Sequence, residues 1–182
     1  MLYIQLDKYL AVRMLSGRDV QPLRSFINET SEATKYWMPL LATLKTEEDC
    51  MQFIKHSLVL FSERRGVIAG LFCEEHLVGL ISFNEIDQTK ENASIGYILK
   101  EAYRGKGIMT VALRAFISYG FSTYRLREVE LRIANNNDAS IRLAKRLCFS
   151  YVQTIKNAEK LRGNYVAHDV YRIRREEWKA FY

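Results

Sequence analysis

Proline and cysteine are both scarce in this chain of 182 residues, which has two of the first and three of the second. Cys50, Cys73 and Cys148 lie far apart, are odd in number and show no CxxC spacing, which argues against a disulfide framework and against a zinc site. They read as core thiols. His56, His76 and His168 are equally scattered, with no His-x3-His pair, so no metal is expected. No apolar run approaches the roughly 18–20 residues needed to span a bilayer. The start, Met1 to Lys8, lacks the basic region and small-residue cleavage site of a secretory signal. A cytoplasmic protein without membrane association is therefore expected. Repeats, low-complexity tracts and Gly/Ser linkers are also missing, and Pro22 and Pro39 both fall in the first quarter. One continuous domain, 1–182, is the simplest organisation.

What the chain does have is ordinary globular chemistry: 48% hydrophobic and 26% charged residues. Its length suits one domain with a substantial core. The net charge of +6 is unevenly spread, with ten basic and four acidic residues between Lys100 and Arg146. Such a segment favours a polyanion, either nucleic acid or a phosphorylated cofactor. No helix-turn-helix, zinc or RRM signature accompanies it, so direct nucleic-acid binding is not expected.

Hydrophobic spacing sets the elements. Tyr9–Leu15 reads as a first strand, followed by helical segments at Asp19–Asn28 and Ser31–Trp37. Thr46 can cap a helix whose first turn holds Glu47, Glu48 and Asp49, with Cys50, Phe53, Ile54, Leu58 and Phe61 on one face and an end near Arg65-Gly66. Val67–Cys73 and Leu77–Phe83 read as a hairpin turning at Glu74-Glu75-His76, and Ala93–Leu99 as the next strand. Ile108, Val111, Ala112, Ala115, Phe116 and Tyr119 then form a helical stripe that reads as core packing. Val129–Ile133 alternates as a strand, Asp138–Leu147 follows as a helix, and Phe149–Ile155 and Ala167–Ile173 look like closing strands. A short helix is expected over Arg174–Tyr182. The order implies an α/β domain with a mixed sheet.

Between the strand at Ala93–Leu99 and the helix at Ile108 lies Tyr103-Arg104-Gly105-Lys106-Gly107. The first N–H groups of a helix lack intrahelical acceptors and carry the positive end of the macrodipole. Glycines let a phosphate approach those donors, and Arg104 and Lys106 add formal charge, so the assembly suits a diphosphate. A plain structural turn would have the same short pattern. A Walker A loop is excluded because Gly107, not Ser or Thr, follows Lys106, and the dinucleotide fingerprint would require glycine at Thr110.

With Ile95-Gly96-Tyr97-Ile98 ahead of it, Tyr103 to Thr110 resembles the acetyl-CoA motif of the GNAT superfamily, in the RimJ/RimL type of ribosomal-protein N-acetyltransferase. Of the pattern Q/R-x-x-G-x-G/A, Gly105 and Gly107 match, while Ala102 stands where Gln or Arg is usual. Asn137-Asp138-Ala139-Ser140, then Ala144 to Phe149, resembles a second family block, with Cys148 replacing its common glycine. Gly163-Asn164-Tyr165 through Asp169-Val170-Tyr171 to Glu177-Trp178 resembles the family's ending, and Tyr36-Trp37-Met38-Pro39 ahead of Thr46 its beginning.

The resemblance implies a GNAT fold of α+β type, with a central mixed, splayed, mostly antiparallel sheet flanked by helices, and acetyl-CoA as cosubstrate. It implies that the backbone of Tyr97, Ile98 and Leu99 holds the pantetheine arm and that the amides of Arg104, Gly105, Lys106, Gly107, Ile108, Met109 and Thr110 bind the pyrophosphate. Asn137 would help place the pantetheine end, and Ser140 would lie by the sulfur. The family's usual tyrosine, seven residues after the motif asparagine, is Ala144 here, which leaves Ser140 to stabilise the thiolate; a helix-side serine bonded to local backbone is the other reading. Glu159 matches a glutamate that RimL-like enzymes use through water, and Glu85, near a strand end, is a second candidate base; an exposed loop acid is the other reading of each. Ser94 stands where many relatives carry glutamate. Trp37, Asn84 and Glu85 fall at substrate-side positions. An α-amine, with a pKa of about 7.7–8, needs less help from a base than lysine at about 10.4, which leans the reading toward a protein N-terminus. Polyamines, antibiotics and amino acids stay open as acceptors, as does a domain that only binds acyl-CoA. A homodimer or higher homo-oligomer is common in the family.

Overall fold

The computed structural model describes residues 2–161 and 163–181. The chain divides into two compact units, 1–84 with 96–115, and 85–95 with 116–182. Eight strands follow the order β1-β2-β3-β4-β5-β6-β8-β7. Among the described residues, no helix is long and apolar enough to cross a membrane.

The first unit is built on antiparallel pairs. β1 (Tyr3–Gln5) pairs with β2 (Leu10–Met14), and β2 with β3 (Val67–Cys73). β3 turns into β4 (His76–Asp87) through Glu74 and Glu75 alone, at φ +48° and +68°. Two left-handed residues match the twist of the flanking strands, so this tight hairpin forms although neither position is glycine. His76, expected in the turn, is instead the first residue of β4, opposite Cys73.

α1 (Val20–Glu29), α2 (Glu32–Lys35) and α3 (Glu47–Ser62) contribute to this unit. Thr46 caps α3 as expected: its hydroxyl accepts from Asp49 N–H at 3.1 Å, and Asp49 Oδ2 accepts from Thr46 N–H at 2.7 Å. The buried face of α3 is narrower than its apolar spacing suggests. Cys50, Ile54 and Ser57 are buried, while Leu58 is 36% exposed. Ser57 is tolerated inside because its hydroxyl donates to Ile54 C=O at 2.7 Å. Leu15, Leu23, Phe26, Ile27, Leu41 and Ile54 pack with Phe72, Leu80 and Ile98 into one apolar cluster. Asp19, 2% exposed, accepts two bonds from the Arg13 guanidinium at 2.7 and 2.9 Å. Burial alone would raise its pKa, but the bonds from Arg13 and Ser16 outweigh that and hold it below the usual carboxylate range.

The second unit carries β6 (Glu128–Ala134), α5 (Asp138–Arg146), β7 (Ser150–Leu161), β8 (Asn164–Arg174) and α6 (Arg175–Phe181). β8 pairs antiparallel with both β6 and β7. Val129, Leu131, Ile173, Leu147 and Trp178 are buried, and the Trp178 indole donates to Ser118 Oγ at 2.9 Å.

The end of β4, β5 (Asn92–Leu99) and α4 (Ile108–Thr123) run from one unit into the other. The buried stripe of α4 is Met109, Ala112, Leu113, Phe116 and Ile117, which lies one residue beyond the stripe read from the sequence and leaves Val111 43% exposed. Both stripes are apolar at helical spacing, so spacing alone could not choose between them.

Cys148 shows what became of the missing glycine. It has φ +61°, donates its N–H to Lys145 C=O at 3.0 Å, and is followed by Phe149 N–H donating to Ala144 C=O at 3.0 Å. That bond pair closes α5 in a Schellman motif, whose left-handed residue is ordinarily glycine. Cys148→Gly should therefore raise unfolding stability by about 1 kcal/mol, measured by urea titration, because it removes the cost of a side chain at positive φ. An unchanged or lower midpoint would contradict this account.

Candidate functional site

The local chemistry starts where β5 outruns its partner. β5 pairs parallel with β6 from Asn92↔Glu128 to Ile95↔Leu131 and no further, although β5 continues to Leu99 and β6 to Ala134. Gly96 to Leu99 thus extend past the paired register. At Gly96 a Cβ would stand 3.0 Å from Asn84 Oδ1 and 3.1 Å from Ser82 Oγ, so the glycine leaves room for the Asn84 amide. Asn84 Oδ1 in turn accepts from Ser82 Oγ at 2.6 Å. Asn84 and Glu85 both lie within β4 and are exposed, rather than following the end of a strand at Phe83.

From Leu99 the backbone enters a 3-10 turn, Glu101–Tyr103, then the loop 104–107, then α4. Lys100 N–H donates to Val78 C=O at 2.9 Å, fixing the exit from β5. Gly105 and Gly107 have φ +74° and +77°, which side chains adopt only at a cost, and a Cβ built on either meets nothing within 4 Å. At the start of α4, Val111 N–H donates to Gly107 C=O at 3.1 Å. The N–H groups of Ile108 and Met109 therefore precede the intrahelical ladder. Lys106 is exposed, with Nζ 5.5 Å from the centre of the Tyr103 ring. Space beside two glycines, a helix start and nearby cations together fit a diphosphate group.

Arg104 differs from its neighbours in the loop. Its backbone N–H already donates to Glu101 C=O at 3.0 Å. Its guanidinium donates through Nε to Leu99 C=O at 3.1 Å and through NH2 to Thr34 Oγ1 at 2.6 Å. The expectation that backbone amides from Arg104 onward receive phosphate therefore narrows to those after it. Trp37, 36% exposed, packs edge-on against Tyr36 with ring centres 4.7 Å apart.

In the second unit, Asn137 and Ser140 are held together. Asn137 is the N-cap of α5, and its Oδ1 accepts from Ser140 N–H at 3.2 Å. Ser140 is half-buried in the first turn. Glu159 lies inside β7 rather than in a loop, because this strand runs well beyond Ile155. The β7–β8 register slips between Ile155 and Glu159, with Asn157 at φ +53°, and this brings Glu159 opposite Val166. Glu159 Oε2 is thereby 3.2 Å from His168 Nε2. His168 and Thr34 were not singled out by sequence; each meets its partner only through strand pairing or tertiary folding, which leaves no local pattern. Among the described residues no group of three or more His, Cys, Asp or Glu side chains could hold a metal ion.

Comparison with known proteins identifies the family and the fold. The profile described as the acetyltransferase (GNAT) domain matches residues 10–150. The candidate ribosomal N-acetyltransferase YdaF of Bacillus subtilis (strain 168) is 26% identical over 99% of both chains. The ribosomal-protein-serine acetyltransferase of Escherichia coli (strain K12) is 27% identical over 89% of this chain and 90% of its own. Among solved structures, the ribosomal L7/L12 α-N-protein acetyltransferase RimL, in complex with coenzyme A, superposes with a TM-score of 0.87 at 24% identity, covering 95% of this chain and 98% of that one. A domain match that takes in the loop at Gly105–Gly107, on a fold shared over nearly the whole chain, places this protein in the GNAT acetyltransferase family, as an N-acetyltransferase that uses acetyl-CoA.

Proposed function

We propose that the chain, acting as one domain over 1–182, acetylates the N-terminal α-amine of a protein of ribosomal type in the cytoplasm. The observation that carries the donor half is the open pair Gly105 and Gly107, both at positive φ, directly ahead of the start of α4 at Ile108. In this reading the amides of Gly105 to Thr110 and the charges of Arg104 and Lys106 hold the diphosphate. The backbone of Tyr97, Ile98 and Leu99 receives the pantetheine arm as an added strand, and Asn137 orients its end. The similarity to a ribosomal-protein-serine acetyltransferase over most of both chains supports the acceptor half. Trp37, Asn84 and Glu85 would face that acceptor.

The acetyl group moves when a neutral amine attacks the thioester carbonyl and the thiolate leaves. The amine must first give up a proton, and sulfur must gain one or be stabilised. Glu159 is the proposed proton acceptor, through water, and Ser140 the hydroxyl that hydrogen-bonds the nascent thiolate. A serine hydroxyl is a weak acid, so it stabilises the charge more readily than it gives up its proton.

The test is thiol release from acetyl-CoA with peptides beginning Ser, Ala or Met, alongside spermidine and other small polyamines. N-terminal peptides should give kcat/KM at least about tenfold above any polyamine, equivalent to about 1.4 kcal/mol in the transition state. A preference for polyamines would replace this acceptor with a small amine. Size-exclusion chromatography checks the homodimer that the family resemblance implies.

A further inference from the structure

The Arg104 guanidinium is gripped from two directions before any ligand is considered. The Leu99 carbonyl takes Nε at 3.1 Å, and the Thr34 hydroxyl takes NH2 at 2.6 Å. Thr34 is 1% exposed, so its hydroxyl depends on protein partners. It has a single proton, which it donates to Glu101 Oε1 at 2.5 Å while its oxygen accepts from Arg104. The Ser31 hydroxyl donates to the same Glu101 oxygen. Bonds from Ser31 and Thr34, with the nearby Arg104 charge, hold the Glu101 carboxyl below its ordinary range, so it stays ionised and polarises the Thr34 hydroxyl.

These contacts tie the start of α2 to the turn that leads into Gly105, across about 70 residues of sequence. A second strap runs parallel to the first: Lys100 Nζ lies 2.7 Å from Glu29 Oε2 and 5.7 Å from the centre of the Phe26 ring. The loop 104–107 is exposed and contains two glycines, so its own sequence does little to restrict it. A relay ending on Arg104 supplies that restriction from outside the loop.

We propose that Thr34 is a positioning residue for the diphosphate loop: its hydroxyl, oriented by Glu101, fixes the Arg104 guanidinium at the loop's entrance and so presets the loop for acetyl-CoA. This rests on the reading of residues 104–110 as the diphosphate site. It goes beyond that reading because Thr34 belongs to neither the loop nor the glycine motif, and touches the ligand only through Arg104.

The test combines calorimetric titration with acetyl-CoA and steady-state kinetics with an N-terminal peptide. Thr34→Val keeps the shape and removes both hydrogen bonds. It should raise Kd and KM for acetyl-CoA about tenfold and leave kcat within about twofold, since a ground-state contact kept in the transition state changes binding alone. Thr34→Ser, which keeps the hydroxyl, should restore wild-type affinity. Arg104→Ala should weaken binding, and Thr34→Val added to it should weaken binding no further, because one variant acts through the residue the other removes. Glu101→Gln alters only an exposed carboxylate and should move Kd in the same direction by a smaller factor, which serves if Thr34→Val does not fold. Ile54→Val, a core variant of comparable destabilisation, should leave Kd unchanged. Wild-type Kd in Thr34→Val, or full additivity with Arg104→Ala, overturns the proposal. If Gly107→Glu still abolishes binding, only the role of Thr34 has failed; if Gly107→Glu binds normally, the loop reading itself has failed.

Discussion

Gly107→Glu is expected to reduce acetyl-CoA binding below detection by calorimetry while leaving a folded protein. The space beside Gly107 is open: a Cβ added there meets no neighbour within 4 Å, so the substitution has no clash to relieve at its root. The remaining structural cost is a non-glycine residue at φ +77°, about 1–2 kcal/mol. The functional cost is larger, because the carboxylate would enter the space proposed for the diphosphate. Two like charges about 5 Å apart repel by roughly 3 kcal/mol at an effective dielectric near 20, or on the order of 100-fold in affinity, and the diphosphate carries more than one charge. The same carboxylate can also accept from the N–H groups at the start of α4 that the ligand needs. Gly107→Ala separates the contributions: it carries the backbone strain without the charge and should weaken binding only about tenfold. Circular dichroism and a urea midpoint close to wild type establish that loss of binding is not loss of fold. Normal affinity in the glutamate variant would mean that the diphosphate sits elsewhere.

That loop was legible in the sequence because everything defining it is local. Two glycines, two cations and the onset of a helix lie within a few residues, and each has a physical reason to be there. The β3–β4 hairpin and the Thr46 cap were legible for the same reason. β7 was not. Ser150 through Ala158 are all exposed, so this strand has no alternation of buried and solvated positions to announce it. It is a strand because β8 pairs with it. Its hidden length is why Glu159 read as a loop residue, and why the register slip that brings Glu159 to His168 went unseen.

α4 fails differently. Its helix is evident, but Ile108 and Met109 are both apolar, and only the packed core decides which of two adjacent stripes is buried. The relay from Ser31 and Thr34 to Glu101 and Arg104 is less legible still. Hydroxyls at the start of a short helix have an ordinary capping use, and Ser31 Oγ fills it by accepting from Thr34 N–H at 3.2 Å, which hides the distant partners of both side chains. Gly96 could be read as part of a motif, whereas its structural reason, room for Asn84, arises only when β4 and β5 lie together in the fold.

Ser140→Ala should lower kcat by about 10- to 100-fold and leave Kd for acetyl-CoA within about twofold, as expected for a donor whose bond to sulfur strengthens only as negative charge develops there. The structure makes this variant clean. Asn137, not Ser140, caps α5 with its side chain, and Ser140 contributes its backbone N–H to that cap, which alanine retains. Alanine also favours helix more than serine does, so stability should hold or rise slightly. Asn137→Ala is the contrasting case: losing the cap should cost about 1 kcal/mol of stability, visible as a lowered urea midpoint. A pattern in which Ser140→Ala slows turnover without moving the midpoint, while Asn137→Ala moves the midpoint, assigns the hydroxyl to the reaction and the carboxamide oxygen to the helix. Unchanged kcat in Ser140→Ala, measured with chemistry limiting and acetyl-CoA saturating, would remove this serine from the mechanism and leave the thiolate to be stabilised by backbone donors or solvent.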